Sequence, residues 1–284
     1  MESVALNNSL SMPALGLGVY LVTDVRECER SVDLALRAGY RLIDTAAIYG
    51  NERAVGRGMR SSGIAREEIF LTTKIWPSQF GHERTTTAIT ESLERLGTGY
   101  IDLLLLHQPV GDYLGSWKAL EEAVANGGVR SIGVSNFGVR ELEELLAVAT
   151  IPPAVNQVER HPHFQQKDLG TFLAGHQIVP EAWFPIGHGS ARLLGEAAFA
   201  ELAEKYGKSP VQIVLRWHLQ SGWVAIPKST NPAHIEQNID IVDFELTSEE
   251  MARIAAIDRD RPMFRVPRWV LGLVARLAPI RDLP

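Results

Sequence analysis

The sequence contains a single cysteine among 284 residues, Cys28, and this scarcity excludes an internal disulfide bond. So little cysteine is typical of a protein from a reducing compartment, and we expect a cytoplasmic location. Cys28 lies in an Ala-, Leu- and Arg-rich stretch with helical periodicity. That position favours an inert buried thiol over a reactive nucleophile.

Long apolar runs are also missing. No stretch of about 18 uninterrupted apolar residues occurs, so no membrane-spanning helix is predicted. The first residues, MESVALNNSLSMP, lack the charged and apolar regions of a signal peptide. An apolar segment near the end, WVLGLVARLAPI, has only 12 residues and is interrupted by Arg276. We expect this segment to pack against the body of the protein rather than to contact a membrane.

The chain has no excess of positive charge. Its formal net charge is −6, with 22% charged and 45% hydrophobic residues, as in an ordinary soluble globular protein. Because no basic patch stands out, a nucleic-acid partner is not expected. The His-Pro-His sequence at 161–163 lacks the cysteine and carboxylate partners usual in a zinc site, so no metal is predicted. No feature indicates an oligomer, and we expect a monomer.

What the sequence does contain is an alternation of short apolar runs and longer amphipathic segments. Several runs are almost continuously apolar, which is typical of parallel strands covered on both faces. The eight strand candidates are 15–19, 41–45, 69–75, 101–107, 130–136, 154–159, 179–184 and 223–229. Helical periodicity occurs at 25–39, 83–97, 116–128, 139–149, 195–206 and 209–221, with Ser135 and Asn136 as candidate caps of the fourth helix.

This order of elements predicts an α/β fold with a parallel sheet. Eight strand-helix units favour closure into a (β/α)8 TIM barrel over an open sheet. A hairpin around Asn7 and Asn8 is predicted to plug the barrel floor. No linker or composition break is visible, so residues 1–284 are interpreted as a single domain. The tail after about residue 259 is expected to form a loop over the barrel mouth.

Reactive side chains stand at the ends of the predicted strands, where barrels carry their chemistry. Asp44 ends the second strand and Lys74 the third, so we predict an ion pair that offsets the cost of a buried carboxylate. Tyr49 follows Asp44, and His107 ends the fourth strand. Lys74 is expected to lower the pKa of the Tyr49 phenol. An ion pair alone would be structural, but four such residues at one mouth favour a catalytic site.

The segment GYRLIDTAAIYGNE resembles the signature of the aldo-keto reductase family almost letter for letter. Five further segments resemble motifs of that family in the same order: TTKIW, IDLLLLHQP, VRSIGVSNF, VNQVERHP and IPKSTNPAHIEQN. Together they cover about residues 12–258 and are similar to bacterial diketogluconate and methylglyoxal reductase-like members. The resemblance implies a (β/α)8 barrel that reduces a small aldehyde or ketone with NADPH, NADH being a tolerated alternative.

The resemblance also implies a role for each matching residue. The catalytic group would consist of the proton donor Tyr49 with Asp44, Lys74 and His107. The nicotinamide carboxamide and ring would be held by Ser135, Asn136, Gln157 and Trp183. The adenosine end would be held by Lys228, Ser229, His234 and Asn238. The substrate pocket would be lined by Tyr20 and Trp76.

The chain departs from the family pattern at several positions. His234 replaces the usual arginine, which weakens the expected preference for NADPH, and Phe184 replaces a small polar residue after Trp183. Two other functions stay open. A Schiff-base lyase would use Lys74 as nucleophile, although Asp44 beside it favours a charged amine. A nicotinamide-binding regulatory protein is disfavoured by the complete catalytic set. The sequence does not identify the substrate.

Overall fold

The chain starts with a hairpin in the computed structural model, which describes residues 2–280. Its two antiparallel strands are β1 (Ser3–Ala5) and β2 (Ser11–Pro13). The side-chain amides of Asn7 and Asn8 in the turn donate to backbone oxygens near the starts of two barrel strands. Leu6 and Met12 pack against apolar side chains of the barrel interior. The hairpin therefore closes the barrel floor, as the sequence predicted.

Eight parallel strands form the barrel and follow one another in chain order. They are β3 (Leu17–Gly18), β4 (Leu42–Asp44), β5 (Phe70–Ile75), β6 (Ile101–Leu106), β7 (Val129–Ser135), β8 (Val155–Glu159), β9 (Val179–Trp183) and β10 (Val224–Ala225). The ring closes where Leu15 and Gly18 pair in parallel with Ala225 and Lys228. The predicted (β/α)8 fold is confirmed.

The strands are apolar because they are covered on both faces. All six residues of β5 and all six of β6 are buried. One apolar cluster fills the lower barrel interior around Leu103 and Leu105, and a larger one lies between the strands and the surrounding helices. The barrel is thus a packed core whose upper end alone is open to carry polar side chains.

Twelve α-helices lie in the described part of the chain. They are α1 (Val25–Arg37), α2 (Glu52–Ser62), α3 (His82–Leu96), α4 (Tyr113–Ala125), α5 (Val139–Leu146), α6 (Lys167–Gly175), α7 (Ala191–Leu194), α8 (Ala197–Tyr206), α9 (Pro210–Gln220), α10 (Pro232–Ile239), α11 (Ser248–Ala255) and α12 (Arg268–Leu277). Ser209 begins α9 with a capping box. Helix α5 begins after Gly138, so the prediction that Ser135 and Asn136 cap it was wrong. Cys28 on α1 is buried, and burial raises the pKa of its thiol to about 12, as expected of an inert thiol.

The tail crosses the barrel mouth and then forms α12, where the sequence had predicted a loop throughout. The backbone N–H groups of Met263 and Phe264 donate to the carboxylate of Glu159 at the end of β8. Helix α12 contacts the 3₁₀ turn Pro77–Gln79, which follows β5. Because β8 and β5 lie on different sides of the ring, the tail spans the mouth.

The outer face of α12 stays exposed to solvent. Trp269 is 75% exposed and Leu277 is 71% exposed, whereas Ala275 is buried. The expectation that this apolar segment packs against the protein therefore holds only for its inner face. Residues 2–280 include no helix with both the length and the apolar character needed to cross a membrane. The last four residues of the tail lie outside the described part.

Candidate active site

The centre of the barrel mouth is a buried ion pair between Asp44 and Lys74. The Lys74 ammonium lies 2.6 and 2.7 Å from the two carboxylate oxygens of Asp44, and it also donates to the backbone oxygen of Thr45 at 2.8 Å. The Lys74 side chain is fully buried. Burial raises the pKa of Asp44, and the Lys74 charge and its hydrogen bonds act against that rise. The predicted ion pair is present, and all three ammonium protons are engaged, two by Asp44 and one by Thr45.

Tyr49 lies beside this pair, on a short 3₁₀ turn after β4. The Lys74 ammonium is 5.3 Å from the centre of the Tyr49 ring. No hydrogen bond joins the Tyr49 hydroxyl to another residue in the range 2–280, so the hydroxyl is available to a bound molecule. Burial, followed by repulsion from Asp44, Tyr20 and Glu181, raises the pKa of Tyr49 well above its usual value. The expectation that Lys74 lowers this pKa was wrong, because Asp44 balances the Lys74 charge and burial favours the neutral phenol.

His107 and Trp76 form the wall facing Tyr49. The ring centres of Tyr49 and His107 are 5.8 Å apart, and those of Trp76 and His107 are 5.0 Å apart. Burial, together with the Lys74 charge, lowers the pKa of His107 well below its usual value, so the imidazole is neutral. The Nδ1 atom of His107 and the indole Nε1 of Trp76 are buried and have no partner among the described residues. Buried polar atoms without a partner are uncommon in proteins, so this wall of the mouth holds two unused hydrogen-bonding atoms.

Ser135 and Gln157 are side-by-side partners on β7 and β8. The amide nitrogen of Gln157 donates to Asp44 and to Glu181, both at 2.9 Å. Its amide oxygen accepts no hydrogen bond from the described residues, and the Ser135 hydroxyl donates none. One free donor and one free acceptor thus stand together. This combination matches a primary carboxamide, which has an oxygen acceptor and N–H donors.

Asn136 is engaged within the protein instead. Its amide nitrogen donates to the backbone oxygen of His107 at 3.0 Å and to the Ser135 hydroxyl at 3.1 Å. Its amide oxygen accepts a hydrogen bond from the Trp183 indole at 2.9 Å. The backbone φ of Asn136 is +64°, a left-handed conformation that asparagine tolerates better than most residues. Asn136 therefore fixes the position of the Trp183 ring and of the strand end that carries His107.

An aromatic cluster lines the rest of the mouth. The Trp183 ring centre lies 5.0 Å from that of Phe184 and 6.1 Å from that of Phe264 in the tail. Tyr20 lies 5.0 Å from Tyr49 and 6.1 Å from Phe184. The structure thus brings together all the residues predicted for catalysis, for the nicotinamide and for the substrate pocket. Phe264 is an addition that the sequence did not reveal.

Four predicted residues lie apart from this centre, on α10 and on the segment that precedes it. Lys228 and His234 are exposed, whereas Ser229 and Asn238 are buried. The Ser229 hydroxyl accepts a hydrogen bond from the backbone N–H of Asn231. Lys228 pairs with Gly18 across the closure of the barrel, which connects this region to the mouth. The arrangement suits one long ligand with a polar, anionic far end.

Glu181 on β9 is a residue of the site that the sequence did not predict. It is fully buried and hydrogen-bonded to Gln157, and its other carboxyl oxygen has no partner among the described residues. Burial, and then repulsion from Asp44, raise the pKa of Glu181 to about 8. The signal was available, because a glutamate in the apolar run VPEAWF is costly unless it serves the site.

Comparisons with known proteins agree on one family. Residues 14–259 match the family model of the aldo/keto reductase family. The chain is 48% identical over 260 residues to the glyoxal reductase of Bacillus subtilis (strain 168), covering 91% of this chain and 94% of that protein. It is 45% identical over 269 residues to the morphine 6-dehydrogenase of Pseudomonas putida, covering 90% of each. A solved aldo-keto reductase of Bombyx mori in complex with NADP superposes with a TM-score of 0.90 at 34% identity, covering 94% of this chain and 96% of that one.

Proposed function

The chain belongs to the aldo/keto reductase family and is an NADPH-dependent oxidoreductase, and from that premise we propose that it reduces an aldehyde or ketone with Tyr49 as the proton donor. The observation that carries the proposal is the unbonded hydroxyl of Tyr49, whose ring lies 5.3 Å from the Lys74 ammonium and 5.8 Å from the ring of His107. The phenol stays protonated near neutral pH, because burial raises its pKa. It therefore retains the proton that the carbonyl oxygen needs.

The groups around Tyr49 support this role. NADPH, when bound, supplies the hydride that adds to the carbonyl carbon. The proton from Tyr49 adds to the carbonyl oxygen and completes the alcohol. The Lys74 ammonium, 5.3 Å from the ring centre, offsets part of the cost that burial and Asp44 impose on the phenolate as that proton leaves. Neutral His107 and the indole N–H of Trp76 can donate hydrogen bonds to the same oxygen and hold it near Tyr49.

The remaining predicted residues fit the cofactor. The Ser135 hydroxyl can donate to a carboxamide oxygen while the Gln157 oxygen accepts from its N–H. Trp183 presents an indole ring whose tilt is fixed by Asn136. At the other end, Lys228 and the residues around α10 suit a phosphorylated ribose. Asn136 is assigned an indirect role, because its amide groups already bind within the protein.

The competing functions are less well supported. A Schiff-base lyase needs a neutral lysine, but Lys74 donates all three of its protons and is paired with Asp44. A regulatory protein that only binds nicotinamide would not need an unbonded Tyr49 hydroxyl next to a neutral His107. We further propose that the chain is a single-domain, monomeric, cytoplasmic protein; light scattering after size exclusion tests the monomer.

The substrate is best found by direct assay. One relative is named a glyoxal reductase, so 2-oxoaldehydes are tested first, followed by simple aldehydes, ketoses and quinones. Consumption of NADPH is followed by its absorbance, and the alcohol product is identified separately. We expect turnover with at least one of these classes. NADPH binding without reduction of any carbonyl would favour the regulatory alternative, and borohydride trapping of a covalent adduct on Lys74 would favour the lyase.

A further inference from the structure

Glu181 lies on the strand next to Gln157, one of the residues proposed to hold the nicotinamide. On adjacent strands, Ser135 pairs in register with Gln157, and Gln157 pairs with Glu181. The Gln157 nitrogen is 2.9 Å from a carboxyl oxygen of Asp44 and 2.9 Å from one of Glu181. Both hydrogen atoms of the amide are therefore used. Its oxygen must then point away from the two carboxyl groups.

We propose that Glu181 is a positioning residue which, together with Asp44, fixes the Gln157 amide so that its oxygen faces the cofactor. Without these two acceptors the Gln157 amide could rotate by about 180° and point its N–H groups at the cofactor. Those N–H groups would then face the N–H groups of the carboxamide, and no hydrogen bond could form between them. Asp44 is already occupied by Lys74, so Glu181 is the acceptor that serves Gln157 alone. The inference rests on the proposed use of NADPH at this site.

The charges around Glu181 indicate that it acts as a neutral acid. Asp44 on β4 and Lys74 on β5 act on it from across the barrel and balance each other, and Tyr49 is a neutral phenol. On the other side its register partner is the apolar Val224. If Glu181 were ionised, it would be a second buried carboxylate beside Asp44 without a cation to pair with. Accordingly the pKa of Glu181 is raised to about 8, first by burial and then by Asp44.

Cofactor affinity tests the positioning role. Glu181→Leu removes the acceptor, and we expect the Kd for NADPH to rise about 3–10-fold, the equivalent of one lost hydrogen bond. Glu181→Gln keeps a carbonyl acceptor and should restore most of that affinity. Thr72→Val is the matched control, because Thr72 is fully buried with an unbonded hydroxyl and is not assigned to the site. An unchanged Kd in Glu181→Leu, or equal changes in Glu181→Leu and Thr72→Val, would overturn the proposal.

Thermal unfolding without cofactor tests whether the Glu181 carboxyl group is neutral in the folded protein. This experiment compares the wild type with Glu181→Gln, so it can be done even if Glu181→Leu does not fold. The unfolded chain releases the Glu181 proton at the usual pKa of about 4.3, whereas the folded protein keeps it to about pH 8. Wild-type stability should therefore fall relative to Glu181→Gln as pH rises through this window. The Tm difference should grow between pH 5 and about pH 8 and then level off. A difference that is constant with pH would contradict the neutral acid.

These readouts separate the inference from the proposed function. If the wild-type protein binds NADPH but reduces no carbonyl, the proposed reaction fails while the affinity comparison still decides the role of Glu181. If it reduces carbonyls and Glu181→Leu binds NADPH like the wild type, the positioning role alone fails.

Discussion

Replacing Asp44 by asparagine should destabilise the protein more than any change to a surface ion pair. The asparagine side chain would keep the shape of the aspartate but leave the Lys74 ammonium, which is fully buried, without its counter-ion. Breaking a buried pair from one side typically costs about 3–5 kcal/mol, because the remaining charge is desolvated and uncompensated. Natural domains have roughly 5–15 kcal/mol of stability, so the variant should fold with a much lower unfolding midpoint.

Glu181 makes this prediction more specific. Asp44 is one of the groups that keep Glu181 neutral, so its removal should let Glu181 ionise and partly replace the lost charge. Asp44→Asn/Glu181→Gln should therefore be less stable than the sum of the single changes by roughly 0.5–3 kcal/mol, the range found for coupled residues.

The assay is urea unfolding followed by circular dichroism at pH 7, with Asp33→Asn as control. Asp33 pairs with the exposed Arg37, and the loss of such a pair costs about 0.2–1 kcal/mol. An Asp44→Asn cost no larger than that of Asp33→Asn, or strict additivity in the double variant, would refute the assigned charges.

Two further predictions concern the two ends of the bound molecule. His234→Arg should raise the ratio of kcat/KM for NADPH to kcat/KM for NADH by about 10-fold, because a permanently charged, bidentate guanidinium binds a 2′-phosphate better than an imidazole does. An unchanged ratio would show that the 2′-phosphate binds elsewhere. Deleting the residues after Asp260 removes Phe264, which packs against Trp183 and Phe184. The deletion should change the order of preference among carbonyl substrates more than it changes the Kd for NADPH. An unchanged order of preference would show that the tail does not shape the pocket.

Much of the site could be predicted because it follows from strand order. In a parallel barrel all strands end at the same rim, so Asp44, Lys74 and His107 had to meet once the strands were identified. The pairing of opposite charges then follows from the cost of burying either one alone. These inferences need only the position of a residue in its strand.

The parts that could not be predicted depend on register and on burial. Glu181 reaches Gln157 only because the two residues are opposite each other on β8 and β9. The direction of the Tyr49 pKa depends on how completely Asp44 balances Lys74 and on how deeply the phenol is buried. Asn136 was predicted to cap a helix, but its left-handed backbone turns its amide back towards His107 and Trp183.

Tyr49→Phe tests the central claim most directly. The change removes one hydroxyl that has no partner within residues 2–280, so it should leave the fold intact. We expect kcat/KM for the best carbonyl substrate to fall about 10²–10⁴-fold, the usual contribution of a general acid, while the Kd for NADPH stays unchanged. Tyr100→Phe is the control, since its ring packs under Arg66, away from the mouth. Near wild-type kcat/KM in Tyr49→Phe would show that another group donates the proton and would contradict the account.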